Sequence, residues 1–342
     1  MRILVTGGAG YIGSHTCIEL LGAGHDLVIV DSLVHGSPAT ITAIEAVSGR
    51  TVAFHVADIR DRRALRAIFA AAPVDAVFHF AALKAVGESV HDPLRYYDHN
   101  VGGTAVLARC AVEAGVGLFV FSSSASVYGV PRQTPVAEDV PLAPINPYGR
   151  SKATGEALFR DLQAARDDVR VALLRYFNPG GAHPSGRLGE DPGHEPENLL
   201  PTVARVAAGA LPHVPILGDD WPTPDGTGVR DYVHVVDIAR GHVAALEALL
   251  HPPAGDAAQP LTVNLGTGRG YSVLEIVAAF EAAVGHPIAR ERRPRRPGDV
   301  AACHAEVARA RALLGWQAEF GLERICTDAW RWHRQQAGGV VA

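Results

Sequence analysis

Val5-Thr-Gly7-Gly-Ala-Gly10-Tyr11-Ile12-Gly13-Ser-His-Thr16 is the stretch that decides the fold. Gly7, Gly10 and Gly13 follow an apolar run at 3–6 and lead into a helical pattern over 12–24. Glycines there allow a tight turn, close approach of a pyrophosphate and close strand–helix packing, and the helix N-terminus favours phosphate charge. A glycine triplet alone also serves as a plain turn. Its place after the first strand, with Asp31 closing the second apolar run 18 residues beyond Gly13, reads as a dinucleotide site. A carboxylate at Asp31 accepts both adenosine ribose hydroxyls and repels a 2′-phosphate, so the expected cofactor is NAD rather than NADP.

Outward from that loop, short apolar runs at 3–6, 27–30, 51–56, 76–80, 118–122 and 171–176 alternate with helical patterns at 12–24, 61–72, 101–115 and 148–165. Strands apolar on both faces and separated by helices predict an α/β fold, a Rossmann-like doubly wound parallel sheet. A chain of 342 residues is long for one core and predicts two lobes. Near residue 178 the texture turns Gly/Pro-rich, in Asn178-Pro-Gly-Gly-Ala-His-Pro-Ser-Gly and again over 186–196, marking a boundary or a substrate loop. The expected division is an NAD-binding domain over 1–178 and a smaller mixed α/β substrate domain over 179–342. Helices are expected at 200–210, 274–285 and 307–314, and the segments 232–249 and 261–266 are expected to pack back on the first domain.

Bulk properties narrow the class. With 48% apolar and 20% charged residues and a net charge of −5, the chain reads as an ordinary globular protein without a nucleic-acid surface. No apolar stretch approaches the ~20 residues of a membrane span. The N-terminus runs straight into strand and glycine turn, so no signal peptide is expected. Four scattered cysteines, Cys17, Cys110, Cys303 and Cys326, fit reduced thiols in the cytoplasm. None of the 16 histidines falls in a metal-binding spacing, so no metal site is expected.

The chemistry is pointed to by lysine scarcity. Of 31 Lys plus Arg, only Lys84 and Lys152 are lysines, in a composition that otherwise uses arginine. A lysine ammonium is compact where a guanidinium is broad and planar. Lys152 lies four residues after Tyr148, on one helix face, where an ammonium favours the phenolate and makes Tyr148 a base near neutrality. Ser124, in Phe121-Ser122-Ser-Ser124-Ala-Ser-Val-Tyr-Gly after the fifth strand, can relay a proton between a sugar oxygen and that phenolate, and Ser122 is a cofactor contact or part of a turn. Asp58, before Ile59, either holds an adenine amino group or caps the helix that starts near Asp61. The basic run 290–299 is a solvated face unless one or two of its arginines clamp a diphosphate. Arg230 is a second clamp candidate, against a structural ion pair with Asp231. Asn264-Leu-Gly-Thr-Gly-Arg-Gly270 reads as a strand-to-helix turn.

Taken together, these segments resemble the UDP-glucose (UDP-galactose) 4-epimerases, extended short-chain dehydrogenase/reductases, over almost the whole length. Besides the glycine loop and the serine segment, the likeness lies in His79-Phe80-Ala81-Ala-Leu-Lys84-Ala-Val-Gly-Glu-Ser, Leu174-Arg-Tyr-Phe177-Asn178-Pro-Gly-Gly-Ala-His-Pro-Ser-Gly, Asp225-Gly-Thr-Gly-Val-Arg230-Asp-Tyr-Val-His-Val and Arg295-Arg296-Pro-Gly-Asp299. The resemblance implies Tyr11 and Ile12 at the pyrophosphate, and Asp31 and Ser32 at the ribose. It places Asp58, Ile59, Phe80, Ala81, Lys84, Lys152 and Phe177 around NAD. Ser124 and Tyr148 touch the sugar, and Asn178, Asn198, Leu199, Arg230, Arg296 and Asp299 hold the UDP portion. Two positions depart from the family pattern: His99 stands where an Asn is frequent, and Cys303 where some bacterial members carry a bulky Tyr.

The implied reaction is interconversion of UDP-galactose and UDP-glucose by transient oxidation at C4 with tightly bound NAD, Tyr148 acting as base. A thiol at Cys303 leaves space beside the sugar's 2-substituent, unless neighbours fill it, and would admit UDP-N-acetylglucosamine. A 4,6-dehydratase is argued against, since Ala125-Ser126 stands where an Asp-Glu pair is needed. A UDP-sugar decarboxylase or pentose 4-epimerase stays open, because pocket shape decides. A non-catalytic NAD sensor would lack the Tyr148/Lys152 pair. The resemblance also implies a homodimer through helices over 98–115 and 148–165.

Overall fold

Alternating strands and helices build the first half of the molecule. Strands β1 (Arg2–Thr6), β2 (Asp26–Asp31), β3 (Ala53–Val56), β4 (Ala76–His79), β5 (Leu118–Ser124) and β6 (Arg170–Tyr176) are all parallel, and all but the edge strand β3 are almost wholly buried. Helix α1 (Tyr11–Gly22) follows the glycine turn; the helices Arg62–Ala71, Gly103–Glu113 and Pro147–Ala164 alternate with the later strands. The computed structural model describes residues 1–191, 198–252, 259–296 and 298–338, so the Gly/Pro-rich stretch 186–196 lies outside the described residues from 192 on.

A seventh strand, Leu261–Leu265, pairs with β6, and the sheet runs Leu261–Leu265, β6, β5, β4, β1, β2, β3. Helices cover both faces, as buried-strand composition requires. One core lies under α1 and the helix Val235–Leu250, around Ile3, Ile29, Phe78, Leu174 and Ile238; the other lies under the three helices 62–71, 103–113 and 147–164, around Leu4, Val77, Phe119 and Phe159. The segment 232–249 thus forms a short strand, Tyr232–His234, and a helix on the first sheet.

The rest is smaller and mixed. Its helices Leu199–Ala207, Val273–Val284 and Leu322–Gly338 enclose a separate core of Val203, Ile216, Ile276, Phe280 and Ile325. Short strands pair Val214–Leu217 with Arg290–Arg293, and Val229–Arg230 with both Tyr271–Ser272 and Ala302–Cys303. Pro38–Ser48, started by Ser37 accepting from Ala39 N, the short helices Val86–His91 and Pro93–Tyr97, and the long closing helix Leu322–Gly338 have no counterpart in the sequence reading. Among the described residues, no helix is long and apolar enough to cross a membrane.

Candidate active site

The glycine turn forms one end of a cleft of about 450 Å³ that runs along the carboxyl ends of the strands, where ligands bind in open α/β sheets. Gly7 has φ +73° and no room for a side chain: a Cβ there would sit 2.6 Å from Ala81 N. A Cβ at Gly13 would come 2.3 Å from the Gly7 carbonyl. The turn is therefore pinned against the loop after β4. Gly10, the residue before α1, gives no side-chain cap, and the first turn of α1 carries no acid. An uncapped helix N-terminus on a cleft floor is a place for phosphate.

Asp31 closes β2 and is buried; its carboxylate accepts from Ala9 N at 3.0 Å and Leu33 N at 2.8 Å. Burial pushes it up while those two amides pull it down, with a net rise. Ser32, Ile59, Phe80 and Ala81 line the same end of the cleft. Asp58 does not cap the helix after it, because Asp61 does that, accepting from Arg63 N and Ala64 N. Asp58 instead pairs with Arg60 (2.7 Å), whose bonds hold its carboxyl below the usual range. His99 reaches the cleft beside it.

The reactive end is built where β5 meets the helix Pro147–Ala164. Asn146 starts that helix by accepting from Gly149 N, with Pro147 at its first position. Two glycines let it lie close: a Cβ at Gly149 would come 2.7 Å from the Ser126 carbonyl, and one at Gly155 2.6 Å from the Phe121 ring. Tyr148 then lines the cleft with Ser124, whose hydroxyl acts on the phenol. Lys152 is buried, with Nζ donating to the Ser122 carbonyl at 2.7 Å above the Phe121 ring, and burial lowers it to about 7. Tyr176 donates to Ser122 Oγ. Asn100 lies in a π-turn, Asp98–Gly102, and its side chain bonds both to Leu83 and to Ser151 Oγ (2.9 Å), tying the loop after β4 to this helix. Such π-turns concentrate at functional sites.

The electrostatics differ from the sequence reading in one respect. Burial raises the Tyr148 phenol above its ordinary 10, outweighing the Ser124 hydroxyl and the charge of Lys84 that lower it. The cation acting on the phenol is Lys84, while Lys152 is turned toward Ser122 O. Lys84 itself pairs with Glu190 (2.9 Å), which also accepts from Asn198 Nδ2 (3.1 Å). Glu190 was not identified from sequence, although it sits in the Gly/Pro-rich stretch that marked a substrate loop.

The opposite wall comes from the second half. Arg230 NH1 donates to the Val229 and Val300 carbonyls, and Asp299 stands between Arg230 (3.8 Å) and Arg296 (2.9 Å). Asp231 does not pair with Arg230; it is buried and accepts from Thr267 N, Thr267 Oγ1, Gly268 N and Ala305 N, holding the turn over 264–270. Phe177, Asn178, Asn198 and Cys303 face the cleft. Burial raises the Cys303 thiol to about 11, so it is a neutral, space-filling group. Leu199 starts its helix and packs against the separate core around Val203, Ile276 and Ile325 without lining the cleft.

The cleft therefore joins the uncapped N-terminus of α1 and the Asp31 carboxylate with Tyr148, Ser124 and the buried Lys152 and with an Arg–Asp–Arg group, a set that fits a dinucleotide at one end and a nucleotide sugar at the other. The family model for the NAD dependent epimerase/dehydratase family matches residues 3–266. The chain is 52% identical to a UDP-glucose 4-epimerase of Bacillus subtilis, over 99% of this chain and 98% of that one. It is similar to the crystal structure of UDP-glucose-4-epimerase from Stenotrophomonas maltophila with bound NAD and formylated UDP-arabinopyranose, at 48% identity and a TM-score of 0.95, covering 99% of both chains. It is similar also to the UDP-glucose 4-epimerase from Bifidobacterium longum in complex with NAD+ and UDP, at 47% identity and a TM-score of 0.94, covering 99% of this chain and 100% of that one. With that geometry and these likenesses, the chain belongs to the NAD dependent epimerase/dehydratase family.

Proposed function

We propose that this chain interconverts UDP-galactose and UDP-glucose by inverting C4 through transient oxidation. The observation that carries the reading is that Tyr148, Ser124 and Lys152 line one cleft with the glycine turn and the Arg230–Asp299–Arg296 group. NAD, when bound, supplies a group that accepts the C4 hydride and gives it back. Gly7, Gly10 and Gly13 with the amides of Tyr11 and Ile12 hold its pyrophosphate, Asp31 and Ser32 its ribose, and Asp58, Ile59, Phe80, Ala81, Ser122, Lys152 and Phe177 the remainder.

Tyr148 Oη takes the proton of the sugar 4-hydroxyl, with Ser124 Oγ placed to hydrogen-bond both oxygens, and returns it to that same sugar oxygen after the sugar has turned its other face to the site. Lys84 lowers the phenol, and cationic charge added beside it opposes burial further. Arg230 and Arg296 grip the diphosphate while the hexose rotates, since guanidinium matches phosphate bidentately. Asn178, Asn198 and Asp299 complete the UDP contacts. Residues 1–178 carry the cofactor and 179–342 the UDP-sugar, with parts of 230–266 shared.

UDP-pentoses form a second substrate class, supported by the formylated UDP-arabinopyranose held by the Stenotrophomonas relative. Cys303 supports a third, UDP-N-acetylglucosamine, because a thiol occupies little of the sugar end. Exposed Val90, Leu94 and Tyr97, beside the helix at 103–113, support a homodimer. Four buried, unpaired cysteines support residence in a reducing compartment, the cytoplasm.

The test is product analysis after mixing purified protein with UDP-galactose and no added cofactor. UDP-glucose is expected, and its absence would refute the function. The same assay with UDP-N-acetylgalactosamine decides the role given to Cys303.

A further inference from the structure

We propose that Glu156, gripped by Arg175, is a positioning residue: through Ser123 it sets where the Tyr148 helix meets β5, and so the contact between the Tyr148 and Ser124 hydroxyls. The inference rests on the function proposed for the same site.

Residues 148, 152 and 156 recur every four positions and share one face of the helix Pro147–Ala164. Each meets one of three consecutive serines of β5. Tyr148 lies where the Ser124 hydroxyl lowers its phenol, Lys152 Nζ donates to the Ser122 carbonyl, and Glu156 Oε1 accepts from Ser123 Oγ at 2.6 Å. Neighbouring strand residues point to opposite faces, so Ser123 is turned away from the cleft that Ser122 and Ser124 line. Ser123 and Glu156 are fully buried.

The carboxylate is saturated. Arg175 of β6 gives Nε to Oε1 at 2.8 Å and NH2 to Oε2 at 2.6 Å. Burial pushes Glu156 upward, yet the Arg175 and Ser123 bonds hold it below its ordinary value, so it is an anion in the sheet's interior. Arg175 NH1 goes on to Tyr128 Oη (3.0 Å) and the Glu138 carbonyl (2.9 Å), and Tyr128 reaches Asn264 of the seventh strand at 2.7 Å. Three strands, the Tyr148 helix and the turn after β5 are thereby locked by directional bonds.

Such a buried ion pair is a weak source of stability, because apolar side chains of similar volume serve as well or better. What it adds is register. Apolar packing lets a helix slide by fractions of an ångström, whereas hydrogen bonds of fixed length and direction do not. A shift of ~1 Å at a reacting group can cost on the order of 10²-fold in rate.

Glu156→Ala would strand Arg175 uncompensated in the interior and destabilise the whole fold, so the informative variant is Ser123→Ala, which spares the ion pair. With UDP-galactose, Ser123→Ala is expected to lower kcat about tenfold with KM within about twofold, and Ser123→Thr to restore it. The phenolate absorbance of Tyr148, read as the difference between each protein and its Tyr148→Phe counterpart, is expected to titrate at higher pH in Ser123→Ala, since the Ser124 hydroxyl that lowers it is held less closely. A variant whose kcat per folded molecule and phenol titration match the parent overturns the proposal, whatever its melting temperature. Parental activity tests the function itself; the titration needs none, so the two failures are distinguishable.

Discussion

At the scale of single residues, Tyr148 and Lys84 divide one task. The phenol supplies the oxygen that holds the proton, and the ammonium offsets part of the rise that burial imposes. Tyr148→Phe removes only that oxygen; turnover of UDP-galactose is expected to fall at least ~10²-fold while the circular dichroism spectrum and melting curve stay near the parent's. Lys84→Met has a different signature. The phenol titrates higher without the lysine charge, so the acid limb of the pH–rate profile should move to higher pH, with activity lost at neutrality and partly regained as pH rises. An unmoved limb would remove Lys84 from that role. Sequence showed both residues through the scarcity of lysine, but assigned the tuning to Lys152. Spacing along a helix reports a shared face; it does not report that Lys152 Nζ finds the Ser122 carbonyl first. Glu190 was hidden for a similar reason, its contact with Lys84 crossing 106 residues of chain.

At the scale of elements, the glycine turn was the most legible part of the molecule, because its demands are local. Gly7 carries a positive φ and touches the backbone of the loop after β4, so Gly7→Ala is strained twice. Purified Gly7→Ala is expected to carry at least tenfold less NAD than the parent, measured by releasing bound nucleotide with acid, and normal NAD content would refute the assignment of the turn. Helix positions were legible from apolar periodicity to within about two residues. The π-turn at Asp98–Gly102 was not, since nothing in its composition separates it from a regular helix; only the placement of Asn100 between Leu83 and Ser151 gives it a reason. The helix Leu322–Gly338 was missed because charged residues dilute its apolar face.

Across the whole molecule, buried histidines couple folding to acidity. Burial holds His15 and His79 at about 3 and His242 at about 4, against an ordinary 6.5. The unfolded chain takes up these protons below 6.5 and the folded chain refuses them until far lower pH. Their contribution is complete above pH 6.5 and is lost as pH falls toward 4, by ~1.4 kcal/mol per pH unit for each histidine. Buried carboxylates such as Asp31 and Asp231 act in the opposite sense, so the clean comparison is by substitution. His79→Gln, keeping polar reach toward Thr6 and Thr104, should flatten the slope of urea-unfolding free energy between pH 6.5 and 5 by about that amount; an equal slope would sink this account.

The sheet closes with a strand that the chain supplies only at Leu261–Leu265, beyond much of the second half. On a ribosome, therefore, β6 emerges long before its outer neighbour and waits as a bare, apolar edge of the kind that recruits strands from other chains. The nascent protein cannot finish its cofactor-binding half until more than three quarters of the polypeptide has been made, and chaperones have that interval in which to guard it.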